Sequence, residues 1–283
     1  MRLPILLSIA LLSPAFGQAD ELGLSSLLNG IKYGARVVSN AAAASSQWTP
    51  AEEEKVGAAL AAGILSTAPL SPNVRQQKYV SLVGAWVASS IPEGEGKGVH
   101  WRFGVLATPE VNSYATPGGY IFITQGLLSR LRSEAELAGV LGHEIGHVLC
   151  HHHVAAYKKA GMMGVLSSGA ALLTEDNNRE QVSDLAESGK TLIARGLDKD
   201  DEFAADRYGA MLAARAGYDP YGFVAVLQRL GAMSAKEGMF TTLLQTHPPF
   251  DSRVAKLNAA MGEPYEQYGS GVTGEQRFLA AMR

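Results

Sequence analysis

Apolar positions recur at helical spacing through residues 133–153, where Leu137, Val140, Leu141, Ile145, Val148 and Leu149 fall on the i, i+3, i+4 pattern. Ser133, followed three residues later by Glu136, reads as a capping box that opens this helix. Upstream, Thr49-Pro50-Ala51-Glu52 offers an N-cap, a proline at the first helical position and an acid in the first turn, predicting a helix to about Leu65. Ser71-Pro72 repeats the device, and Val74, Tyr79, Val80, Val83, Trp86 and Val87 place an apolar stripe on the helix that follows. The period then drops to two: Val99, Trp101, Phe103 and Val105 alternate with His100, Arg102 and Gly104, predicting a strand with one buried face and His100 turned to solvent. Two more short strands are expected at 111–115 and 120–124, joined through Thr116-Pro117-Gly118-Gly119. Residues 125–132 lead straight from the last strand into the 133–153 helix, so the small sheet, mainly antiparallel, should lie beside that helix. Asp198 should cap another helix, Asp219-Pro220 one more to about Met233, and residues 275–282 a short last one. The expected class is α+β, mainly helical.

Composition changes this picture at the ends. Met1-Arg2, an apolar run over 3–16 and the small residues of Ala15-Phe16-Gly17 describe a cleavable export signal at 1–17. A run of about 14 residues is too short to span a bilayer. Residues 22–44 are helical in character but weakly patterned, with Gly23, Gly30 and Gly34 lowering the propensity. The expected organisation is a signal at 1–17, a helical arm at 18–48, one main domain at 49–262 and a turn-rich tail at 263–283. A net charge of −3 with no long basic run argues against a nucleic-acid partner. The one cysteine, Cys150, cannot form an intrachain disulfide and is expected to be a buried core thiol.

Chemistry concentrates on the 133–153 helix. His143 and His147, four apart, stack two imidazoles on one face, while Glu144 is rotated by about 100° and still reaches the gap beside a shared ion. This is the His-Glu-x-x-His zinc pattern; chance would supply it about 0.01 times in a chain of this composition. A catalytic Zn2+ needs a third protein ligand and an open position. In Asp198-Lys199-Asp200-Asp201-Glu202 the first-turn acids suit the helix dipole, but Glu202 and Asp206 lie four apart on one face. Glu202 is the candidate third ligand and Asp206 the candidate acceptor for the free ring nitrogen of a ligating histidine; the bland alternative is a solvated acidic face. His247, between Thr246 and Pro248-Pro249, is held in a rigid turn, and Arg253 could brace that turn or pair with a nearby acid. The 154–194 segment, rich in small residues and methionine, suits either a flap over a cleft or a surface excursion. An exposed edge of the sheet would suit peptide binding by main-chain hydrogen bonds; an ordinary core sheet is the alternative.

These residues together resemble the zinc metallopeptidase family of the CAAX prenyl proteases and HtpX, and more closely its soluble, exported bacterial branch. The resemblance runs from about Glu52 to Arg253 and rests on the 111–119 motif, His143-Glu144-Ile145-Gly146-His147, Glu202 to Asp206, and Thr246-His247-Pro248. It implies a zincin-type domain with one Zn2+ on His143, His147 and Glu202, Glu144 as general base and Asp206 behind a ligand. It further implies Asn112, with Tyr114 and Ala115, on a substrate-binding edge strand, and His247 close to the metal, stabilising the transition state or capping zinc at rest. The family's usual Asn-Ala-Phe-Ala is Asn112-Ser113-Tyr114-Ala115 here. The implied function is a periplasmic zinc endopeptidase of unfolded or misassembled envelope proteins, compatible with peripheral membrane association. Its rival is a zinc-stabilised envelope chaperone that binds without cutting, which would have no need of Glu144.

Overall fold

The structure is a computed structural model that describes residues 48–159, 197–233, 247, 249–262, 265, 267–268 and 271–283. The expected signal, all of the expected arm but Trp48, and most of the 154–194 segment lie outside the described residues. Helix α1 (Pro50–Thr67) opens on the predicted N-cap, which forms a capping box: Thr49 Oγ1 accepts from Glu52 N, and Glu52 Oε2 accepts from Thr49 N at 2.7 Å. Helix α2 (Val74–Ala88) is capped by Asn73, whose Oδ1 accepts from Gln76 N, and not by Ser71. Ser71 is buried and its hydroxyl accepts from Gln125 Nε2 instead. Of the predicted α2 stripe, Val80, Val83 and Val87 are buried, while Val74 and Trp86 are exposed.

Three strands follow, β1 (Arg102–Leu106), β2 (Ser113–Thr116) and β3 (Tyr120–Thr124), in the order β1-β3-β2. The Pro117-Gly118-Gly119 turn makes β2 and β3 an antiparallel hairpin, but β3 runs parallel to β1. The sheet is therefore mixed and not mainly antiparallel. The cause is the 107–112 connection, which carries the chain past the centre to the far edge before the hairpin brings β3 back. Nor does β1 bury one face only. Phe103 and Val105 join Ile121 and Ile123 in the main core, whereas Leu106 joins Tyr120 and Phe122 in a second cluster with Ala58, Ala61 and Ile64 of α1. The sheet is thus covered on both faces, and strand alternation sorts residues between two cores. His100 is exposed, as expected, but precedes the strand.

Helix α3 (Gln125–Leu128) turns out of β3, and α4 (Glu134–Leu149) then runs through the middle of the core. Only half of its predicted capping box forms. Ser133 Oγ accepts from Glu136 N, but the Glu136 carboxylate takes Arg132 N and the guanidinium of Arg229. The helix ends at Cys150, which is exposed and not a core thiol, because His151 adopts φ 53° and turns the chain into α5 (His152–Lys159). Helix α6 (Lys199–Arg215) lies against α4 at very short range: a Cβ on Gly209 would sit 2.4 Å from His143 N. Asp198 starts α6 without a side-chain cap, its carboxylate meeting Lys159 Nζ at 3.0 Å. Helices α7 (Tyr221–Ala232), α8 (Phe250–Ala260) and α9 (Glu275–Met282) close the core, with Phe223, Leu257 and Phe278 buried in it. No helix among the described residues is long and apolar enough to cross a membrane.

Candidate metal centre

Four turns of α4 carry His143 and His147 into the core on the face that meets α6. Their Nε2 atoms are 3.0 Å apart. Glu202, fully buried in the first turn of α6, places Oε2 3.8 Å from His143 Nε2 and Oε1 3.6 Å from His147 Nε2. Donors at 2.0–2.2 Å around one tetrahedral ion would lie about 3.4 Å apart, so the three separations match a shared ion. Glu202 Oε1 is buried with no hydrogen-bond partner, an orphan that an ion would satisfy. His247 adds a fourth donor: its Nδ1 is 2.5 Å from Glu202 Oε2, and ligand atoms of His143, Glu202 and His247 all fall within 4.8 Å of one another. His143 and Glu202 therefore belong to two overlapping triads, one completed by His147 and the other by His247.

Each histidine is held from behind. His143 Nδ1 lies 2.9 Å from Asp206 Oδ1, and Arg253 clamps the same carboxylate through Nε at 2.9 Å and a terminal nitrogen at 2.5 Å. His147 Nδ1 meets Nδ1 of His152 at 2.9 Å, and His152 Nε2 lies 3.7 Å from Asp201 Oδ1. Glu144, also buried, accepts from Ser113 Oγ at 2.7 Å through Oε1. Sequence reasoning missed His152 and Ser113. His152 carried no periodic signal, since the turn at His151 rotates it back onto His147. Ser113 stood only as one of two departures, with Tyr114, in the 111–119 motif.

Electrostatics sharpen the roles. Burial works against the Glu202 carboxylate, but His247 and Arg253 outweigh it and hold its pKa at about 2. Burial likewise opposes Asp206, and the Arg253 charge and hydrogen bonds win, holding it well below the usual carboxylate range. Burial drives His147 far down, with His143 and His153 pushing the same way. His143 goes the other way, because the hydrogen bond and charge of Asp206 overcome burial and Arg253. The two neighbouring imidazoles are thus shifted in opposite directions. Burial raises Glu144, against the pull of His143 and Ser113.

The implied substrate strand lies alongside. Asn112, buried just before β2, accepts from Ser113 N through Oδ1, and its own N–H donates to Thr124 Oγ1. Tyr114 turns to Glu110, and Ala115 is buried. Among the described strands β2 has a neighbour on one side only.

Residues 75–261, more than half of the 283, match the model of Peptidase family M48. The chain belongs to peptidase family M48. Within the stretch matched as M48 fall the His-Glu-x-x-His helix, Glu202, Asp206, His247 and Arg253. The chain is 31% identical over 189 residues to the mitochondrial metalloendopeptidase OMA1 of Arabidopsis thaliana, covering 65% of this chain and 37% of the relative. It is 24% identical over 212 residues to the beta-barrel assembly-enhancing protease of Escherichia coli, covering 72% and 42%, and 27% identical over 160 residues to that organism's metalloprotease YcaL, covering 55% and 60%. The chain thus spans roughly two fifths to three fifths of the length of these relatives.

Proposed function

We propose that this M48 chain is a zinc-dependent endopeptidase of the bacterial cell envelope, cleaving unfolded or misassembled envelope proteins. The observation that carries the metal-dependent reading is the orphaned Oε1 of Glu202 facing two paired imidazoles, beside a buried carboxylate on the same helix. His143, His147 and Glu202 would hold Zn2+, whose chemistry there is to activate a water and polarise the scissile carbonyl. Glu144 takes the proton of the attacking water and delivers it to the leaving amine. Asp206 and His152 keep the two imidazoles turned inward. His247, in contact with Glu202, would either stabilise the charge that develops on the carbonyl oxygen or cap the metal at rest. Asn112, Tyr114 and Ala115 present the edge along which an extended substrate lies.

The envelope location is supported by the export-signal pattern at 1–17 and by a relative whose name places it in beta-barrel assembly. Other relatives are mitochondrial by name, so the compartment rests on the signal. The test compares zinc-loaded protein with its Glu144→Gln variant on unfolded casein. The variant is expected to keep zinc and lose cleavage by about 100-fold or more; equal rates would remove Glu144 from the reaction. His247→Ala is expected to change the rate at least about tenfold while zinc stays bound. Loss of the metal instead would make His247 a structural ligand.

A further inference from the structure

We infer that Ser113 is a positioning residue for the proton-transferring carboxylate of Glu144, an inference that rests on the endopeptidase reading. The contact is short, 2.7 Å from Ser113 Oγ to Glu144 Oε1, and it ties the edge strand to the metal-binding helix. The hydroxyl is delivered by backbone that has little freedom. Ser113 pairs with Ile123 in the β2–β3 ladder, and its N–H is fixed by Asn112 Oδ1 at 3.0 Å. Asn112 is anchored in turn: Thr124 N donates to its carbonyl at 3.1 Å, and Thr124 Oγ1 accepts from its N–H. The other end of the contact is free to rotate by nature, since a glutamate has three side-chain torsions and Glu144 projects from the helix about 100° away from its ligating neighbour.

A hydroxyl on one carboxylate oxygen removes that freedom. With Oε1 engaged by Ser113, the carboxylate plane is set and Oε2 is the oxygen left to take the proton. Proton transfer demands hydrogen-bond distance and alignment, so an orienting contact of this kind acts on turnover more than on substrate affinity. Threonine carries the same hydroxyl on a side chain that strands favour, whereas alanine keeps the strand and removes the contact.

The experiment measures steady-state peptide cleavage by the zinc-loaded wild type, Ser113→Ala and Ser113→Thr, with zinc content determined for each, alongside crystal structures of the wild type and Ser113→Ala. Ser113→Ala is expected to lower kcat about tenfold, with KM within about twofold and zinc unchanged, and Ser113→Thr to restore most of the loss. In the crystals Glu144 should keep one orientation in the wild type and take a new or split one in Ser113→Ala. Unchanged kcat, a loss confined to KM, a loss that threonine does not rescue, or a Glu144 fixed identically in both crystals would overturn the inference. A wild type that cleaves nothing would count against the endopeptidase reading, and the orientation of Glu144 would then decide the role of Ser113 alone.

Discussion

The two histidines of the helix face one site, yet their supports are built from opposite materials. Behind His143 stands a buried ion pair, Asp206 with Arg253, drawn from helices α6 and α8. Behind His147 stands another imidazole, His152, five residues along the same chain. The first support joins groups 110 residues apart in sequence and carries full charges in the core. The second is local, and burial keeps it neutral by lowering His152. A charged support fixes its ligand strongly but fails if either partner is lost, because the survivor is a bare ion in a dry interior. A neutral support holds less and fails gently.

The largest expected effect tests the charged side. Arg253→Ala leaves Asp206 uncompensated and should cost about 3–5 kcal/mol of stability by denaturant titration of the metal-free protein; a cost below about 1 kcal/mol would show that the pair is not buried as described. Asp206→Asn should next weaken zinc binding by about 10- to 100-fold, read by competition with a chelator. His152→Ala should weaken it by less than Asp206→Asn does. A reversed order would mean that the local imidazole, and not the ion pair, sets the geometry of the site. The smallest effect concerns pH. In the metal-free protein Glu202 has its folded pKa lowered from 4.5 to about 2. Its contribution to stability is therefore complete above about 4.5 and is lost as pH falls toward about 2. Asp206, lowered as well, acts in the same sense. Glu202→Gln should flatten that acid limb, and an unchanged limb would assign it to other carboxylates.

What was legible in the sequence was whatever a single helix fixes. Helical spacing alone places His143 and His147 on one face with Glu144 about 100° round from it, and Glu202 and Asp206 on one face of another helix. Bringing the two faces together took the acids that the helix dipole did not explain. His247 could be placed only through the family resemblance, since a turn between elements has no period. His152 was hidden by one backbone angle at His151, and Ser113 by a hydroxyl whose partner lies 31 residues away. The parallel pairing of β1 with β3 was illegible for a related reason: alternation tells which side chains share a face but not which neighbour the strand chooses. Cys150 was misjudged because the rule that cysteines are buried says nothing of a residue at a helix end.

The contact of Gly142 and Gly209 has a further meaning. With no side chain at either position, the backbones of α4 and α6 touch, and a Cβ at Gly142 would fall 2.7 Å from Gly209 O. That separation works as a ruler. It sets how far a carboxylate must extend from α6 to stand level with two imidazoles on α4, and the distance suits two methylenes. An aspartate at 202 would stop short, and a methyl group wedged between the helices would carry a glutamate out of range. The reach of Glu202 toward the two imidazoles is thus written twice in the chain, once in its own side chain and once in two glycines that have none.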